Sequence, residues 1–133
     1  MAARALARSG IALALAAATM SAAAAAPKGD PKGGEAIYSR CAACHALAYD
    51  RTGPRHCGLF GRRAGSVKGF EYSQAMKRSK IVWNEKTLER FLANPLARVP
   101  GTSMGYAGVP DAKERADLIA YLKEAGESPQ CAK

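Results

Sequence analysis

Cys41-Ala42-Ala43-Cys44-His45 holds the densest chemistry in this 133-residue chain. Two thiols separated by two residues stand one helical turn apart, the spacing at which they form thioether links to the two vinyl groups of a haem. His45 follows at once, where its imidazole can turn onto the iron as an axial ligand. A thioredoxin-like dithiol shares the Cys-x-x-Cys spacing, but it needs a βαβ setting, and no strand-type alternation appears anywhere in this sequence. A zinc site needs two further ligands at matching spacing. His56 and Cys57 are adjacent instead, and Cys131 stands alone near the end. Covalent haem attachment through Cys41 and Cys44 accounts for the whole pentapeptide.

The flanking segments predict helices separated by long loops. Asp30-Pro31 is a capping acid followed by proline at the first helical position, opening a helix that runs on into Cys41. From Tyr49 to Gly69 the punctuation of Gly53-Pro54, Gly58, Gly61, Gly65 and Gly69 predicts an irregular loop. A loop that long in a small domain usually wraps something. Ser73 to Arg78 predicts a short helix. Asn84 caps a better one with Leu88, Phe91 and Leu92 on one face, stopped at Asn94-Pro95. Pro95 to Pro110 reads as a second Pro/Gly-rich loop with Met104 near its middle. Asp111 and Glu114 then open the clearest helix, with Leu118, Ile119, Tyr121 and Leu122 as its apolar stripe and Gly126 as its end. The expected class is all-α, with short helices and long loops around a haem.

At the amino end, Arg4 and Arg8 precede an apolar run from Ile11 to Met20, and Ala22 to Ala26 supply small residues for cleavage. That order is the secretory signal architecture. An Ala-dominated run this short is a poor membrane anchor, which needs about 20 strongly apolar residues. Residues 1–26 are therefore expected to be a cleaved signal and 27–133 a single domain. Losing Arg4 and Arg8 takes the formal charge from +9 to +7. A chain of this length excludes barrel enzymes, doubly wound nucleotide-binding enzymes and polytopic membrane proteins. Export implies an oxidising compartment, here the periplasm.

His45 leaves the opposite axial position to Met104, Met76 or His56. Met104 sits in Pro100-Gly101-Thr102-Ser103-Met104-Gly105, where glycines let the backbone approach a flat cofactor. A mid-loop methionine flanked by glycines is poor core design, whereas Met76 on a helix suits packing. Met104 is the favoured ligand, with His56 a minor alternative. A thioether ligand raises the potential relative to two imidazoles.

Over Gly34 to Ala125 the chain resembles the class I c-type cytochromes, the mitochondrial type shared with many bacterial periplasmic carriers. The matching stretches include the Cys41–His45 pentapeptide, Thr52-Gly53-Pro54, Gly58-Leu59-Phe60-Gly61-Arg62, Gly69-Phe70-Glu71-Tyr72, Trp83, Asn94-Pro95, Val99 to Met104, and Asp117 to Leu122. The resemblance implies one haem bound through Cys41 and Cys44, with His45 and Met104 axial. It implies that the Pro54 carbonyl accepts from the other ring nitrogen of His45. It further implies that Tyr72 and Trp83 donate to a propionate, with Arg62 nearby and Thr102 assisting. Gly34 and Tyr38 are expected to meet Leu118 and Tyr121 where the terminal helices cross.

The departures from the family pattern are informative. Phe91 stands where a tyrosine often donates to the methionine sulfur, and Met76 where a buried asparagine is usual. Leu96, Ala97 and Ser103 replace lysines that help dock partners. Cys57 and Cys131 lie outside the family's usual site; with two cysteines consumed by haem, a disulfide between the remaining pair is the favoured reading, with unpaired thiols the alternative.

Export and dispersed basic residues argue against nucleic acid. Lys77, Arg78, Lys80 and Lys86 cluster, as do Arg51, Arg55, Arg62 and Arg63. Around a haem edge such a rim accelerates encounters with acidic redox proteins, of which a respiratory complex, an oxidase, a dehydrogenase and a reaction centre are all open. The expected function is a monomeric, soluble one-electron carrier without stable membrane insertion. It is not expected to be an enzyme, because Met104 closes the iron. The rival is a peroxidase-like or ligand-sensing cytochrome with an open sixth site.

Overall fold

Asp30 turns the incoming chain into the first helix of the computed structural model, which describes residues 25 and 27–132. The signal expected over residues 1–26 lies, Ala25 apart, outside the described residues. The Asp30 carboxylate accepts from the N–H groups of Lys32 and Gly33, both at 3.2 Å. Pro31 fills the first position, where no N–H is needed, and α1 runs over Pro31–Tyr38. The sequence suggested a helix continuing into Cys41. Instead Ser39 donates its hydroxyl to the Ala36 carbonyl (2.7 Å), and Tyr38 O receives both Cys41 N and Ala42 N. Side-chain competition for backbone partners ends the regular ladder there, and Cys41–Cys44 follow as consecutive turns.

The chain then loops to α2 (Gln74–Arg78), capped by Ser73, and to α3 (Glu85–Ala93). Asn84 and Thr87 cap α3 reciprocally: Thr87 N donates to Asn84 Oδ1 and Asn84 N to Thr87 Oγ1, each at 2.9 Å. Leu88, Phe91 and Leu92 are its buried face. Asn94 then stops α3 and caps α4 (Pro95–Arg98), accepting from Ala97 N at 3.0 Å. This single turn falls where a loop was expected. The Asn-Pro pair that breaks one helix is equally suited to start the next.

The longest helix, α5 (Ala112–Gly126), is capped by Asp111 accepting from Glu114 N at 2.8 Å. It crosses α1, and Gly34 makes the crossing possible. A Cβ there would overlap the Asp117 carbonyl and stand 2.7 Å from Tyr121 Cβ. Asp117 binds the crossing from the other side, accepting from the Asp30 N–H at 2.6 Å and from Lys113 Nζ at 2.5 Å. Leu118 and Val109 are fully buried beneath it. A short 3-10 turn, Pro129–Cys131, ends the described chain. It brings the Cα of Cys131 to 5.2 Å from that of Cys57, within the span a disulfide bridges.

Among the described residues there is no strand, only an isolated bridge between Arg63 and Val82. That bridge zips residues 61–64 to 81–83 through Gly61 N to Trp83 O (2.8 Å), Trp83 N to Arg62 O (2.9 Å) and Ala64 N to Ile81 O (2.8 Å). The architecture is all-α, as the sequence pattern implied. No described helix is long and apolar enough to cross a membrane.

Candidate functional site

The helices and loops enclose a cavity of about 520 Å³ with predominantly apolar walls. Cys41, Cys44, His45 and Met104, drawn from opposite ends of the chain, all line it. So do Thr52, Pro54, Tyr72 and Thr102 among the other residues singled out from the sequence.

One side of the cavity is tightly built. His45 N donates to Cys41 O at 2.9 Å and Cys44 N to the same carbonyl at 3.0 Å, so the pentapeptide closes one turn. His45 Nδ1 lies 2.7 Å from Pro54 O. A carbonyl only accepts, so Nδ1 carries the proton and Nε2 keeps its lone pair for a metal. Gly53 runs beneath the ring: a Cβ there would stand 2.6 Å from both His45 nitrogens. Gly53 N is itself held by Cys44 O at 2.7 Å, and the Arg51 guanidinium donates to Ala42 O. This cradle would be filled by any side chain, which makes Gly53 a functional residue that its role as loop punctuation conceals.

Met104 reaches the same cavity from the loop after α4. Its N–H donates to Thr102 Oγ1 at 3.2 Å, and Thr102 N donates to Val99 O at 3.0 Å. Met76 and Phe91 also line the cavity and are buried. Arg62 and Trp83 lie just behind the lining. Arg62 donates to Cys57 O (3.0 Å) and Arg55 O (2.8 Å), fastening the first loop. Trp83 packs on Phe91 with ring centroids 5.0 Å apart.

His56 is the least expected neighbour. Its ring stacks on His45, centroids 4.3 Å apart and 22° from parallel. Rings that lie side by side cannot face each other across an intervening cofactor, so this position does not suit the opposite axial site. Its Nδ1 is 3.1 Å from Tyr38 Oη. Neither contact has a spacing signature in the sequence: the Tyr38 bond joins a helix to a loop 18 residues on, and the His45 stack joins two non-helical segments.

The site's electrostatics favour neutral groups. Burial lowers the His45 imidazole and the bond to Pro54 O opposes this; a neutral imidazole is the state that binds metal. Burial, then the neighbouring His45 and Arg62, push His56 down to about 3. Burial raises the Cys41 thiol, against a smaller opposing pull from Arg40. Dithiol redox sites depress a thiol instead, so the raised Cys41 thiol does not match that pattern.

The family model described as cytochrome c matches residues 31–126. Cytochrome c of Tetrahymena pyriformis is 54% identical over 99 residues, which cover 73% of this chain and 90% of that protein. Cytochrome c2 of Blastochloris viridis is 42% identical over 98 residues, 71% of this chain and 77% of the relative. Among solved structures, cytochrome cH from Methylobacterium extorquens aligns with a TM-score of 0.70 at 39% identity, covering 72% of this chain and 99% of that one.

Proposed function

The chain belongs to the cytochrome c family, and on that footing we propose that it is a one-electron carrier holding a single haem between His45 and Met104. The observation that carries this reading is the convergence of Cys41, Cys44, His45 and Met104 on one apolar cavity, with His45 Nδ1 already engaged by Pro54. These residues fit a haem: two thiols on one turn, an imidazole with Nε2 free, and a thioether from a second loop lining the same cavity. The iron supplies the one-electron couple. The chain's part is to hold the porphyrin covalently through Cys41 and Cys44, keep water from the metal, and set the potential through its ligands and the dielectric of the walls. With Met104 as well as His45 holding the haem, the iron would keep no open position for bond chemistry, so we read the protein as a carrier rather than an enzyme.

Tyr72, which lines the cavity, and Trp83 and Arg62 behind it are proposed to receive the propionates, with Thr102 steadying the Met104 loop. Residues 1–26 are proposed to direct export to the periplasm, where Cys57 and Cys131 form a disulfide. The Cα separation of 5.2 Å supports that bond. The exposed basic residues, Arg51, Lys77, Arg78, Lys80 and Lys86 among them, favour acidic redox partners. A visible spectrum with a redox titration tests the whole reading. A low-spin haem that reduces and reoxidises in one step supports it, and a high-spin protein that binds carbon monoxide or cyanide rapidly at neutral pH replaces it with the open-site alternative.

A further inference from the structure

Against His45, and lining the same cavity, the chain sets a second imidazole that haem attachment does not require. His56 is fixed from three directions. Its backbone N–H is shared by Ala46 O and Leu47 O, both at 3.1 Å, and the next residue, Cys57, donates its N–H to Leu47 O at 2.7 Å. Its Nδ1 pairs with Tyr38 Oη at 3.1 Å. Tyr38 is itself buried on α1 and packs against Tyr121 of α5, ring centroids 5.1 Å apart. The flat face of His56 then lies against the flat face of His45 at 4.3 Å.

We infer that His56, anchored by Tyr38, is a positioning residue that sets the plane of the His45 imidazole. The hydrogen bond from Nδ1 to Pro54 O fixes which nitrogen points inward, and the Gly53 backbone lies close to the ring, but a glycine hydrogen leaves the ring room to rock about its own axis. Stacking removes that freedom, because rocking would drive His45 edge-on into the His56 ring. The plane of an axial imidazole governs its overlap with the iron orbitals, and a polar ring beside it favours the more highly charged ferric state. The Tyr38–His56 pair therefore ties ligand orientation and redox poise to the α1–α5 crossing.

This inference rests on His45 being an iron ligand. It is tested on the haem-loaded protein with His56→Leu, Tyr38→Phe and the double variant. The readouts are the pattern of haem-methyl paramagnetic shifts in the oxidised protein and the oxidised-to-reduced ratio at one fixed ambient potential. His56→Leu is expected to reorder the methyl shifts and move the ratio severalfold toward the reduced form. Tyr38→Phe, which keeps the ring and removes only the anchor, is expected to move both the same way by less, and to add little once His56 is gone. A thermal melt accompanies each variant, since a purely structural pair lowers stability and leaves the methyl pattern alone. Unchanged methyl shifts and ratio in His56→Leu, with a normal low-spin wild type, overturn this inference alone. A wild type without a ligated haem overturns the carrier reading and this inference with it.

Discussion

The two walls of the cavity are built to different standards. On the His45 side, backbone bonds join Cys44 to Cys41, Gly53 to Cys44 and Cys57 to Leu47, and the Arg51 and Arg62 guanidinium groups fasten the loop to backbone carbonyls. On the Met104 side, among the described residues, Ser103 to Gly108 take part in no backbone-to-backbone hydrogen bond, and Met104 N relies on the Thr102 hydroxyl. On the proposed reading, one ligand would come from a preformed frame and the other from a loop with little backbone bonding of its own. Local stability follows such bonding, so damage to the two walls should have different consequences.

The largest effect is expected from Cys41→Ala/Cys44→Ala. It removes both thioether links, and acid–acetone extraction should strip all haem from the variant and none from the wild type. Haem surviving extraction in the variant would remove the distinction between the walls. Met104→Ala should act on the other wall only. Attachment persists, while the potential falls by a few tenths of a volt within the ~0.8 V that axial ligands span, read by spectroelectrochemistry.

Away from the ligands the expected effects are on stability. Replacing both Cys57 and Cys131 by Ala should cost about 2–4 kcal/mol, the chain-entropy scale for a long closed loop. Thermal unfolding should register this while the visible spectrum stays that of the wild type. Gly34→Val should cost about 1–3 kcal/mol by overpacking the α1–α5 crossing, seen as a lower denaturant midpoint.

The smallest effect concerns pH. The hydrogen bond from Lys113, and then the Asp30 N–H, hold the Asp117 carboxyl below its usual range. Because the folded value is depressed, the stability Asp117 contributes is fully present above the ordinary carboxylate range. It is lost as pH falls through the folded value. Asp117→Asn should flatten the acid side of a melting-temperature profile and leave the neutral side little altered.

Much of this was readable in the residues before any coordinates. Asp30-Pro31, Asn84 and Asp111 each marked a helix start correctly, because a cap is local chemistry: one side-chain oxygen and the N–H groups two or three residues on. The single turn that carries Cys41, Cys44 and His45 was equally legible, since its signature lies in spacing. What escaped depended on partners distant in the chain. Gly53 looked like loop punctuation until the His45 ring lay across it. His56 was weighed as a ligand, yet its place against His45 is set by Tyr38 and by the loop's attachment to Ala46 and Leu47. The turn at Pro95–Arg98 was hidden because Asn94-Pro95 signals a stop and a start alike.

The central claim, that one haem iron is held between His45 and Met104, is tested most directly by the near-infrared spectrum of the oxidised protein at neutral pH. The account predicts the weak sulfur-to-iron charge-transfer band in the wild type and its absence in Met104→Ala. A wild type lacking the band with a five-coordinate iron, or a band that survives Met104→Ala, would contradict it.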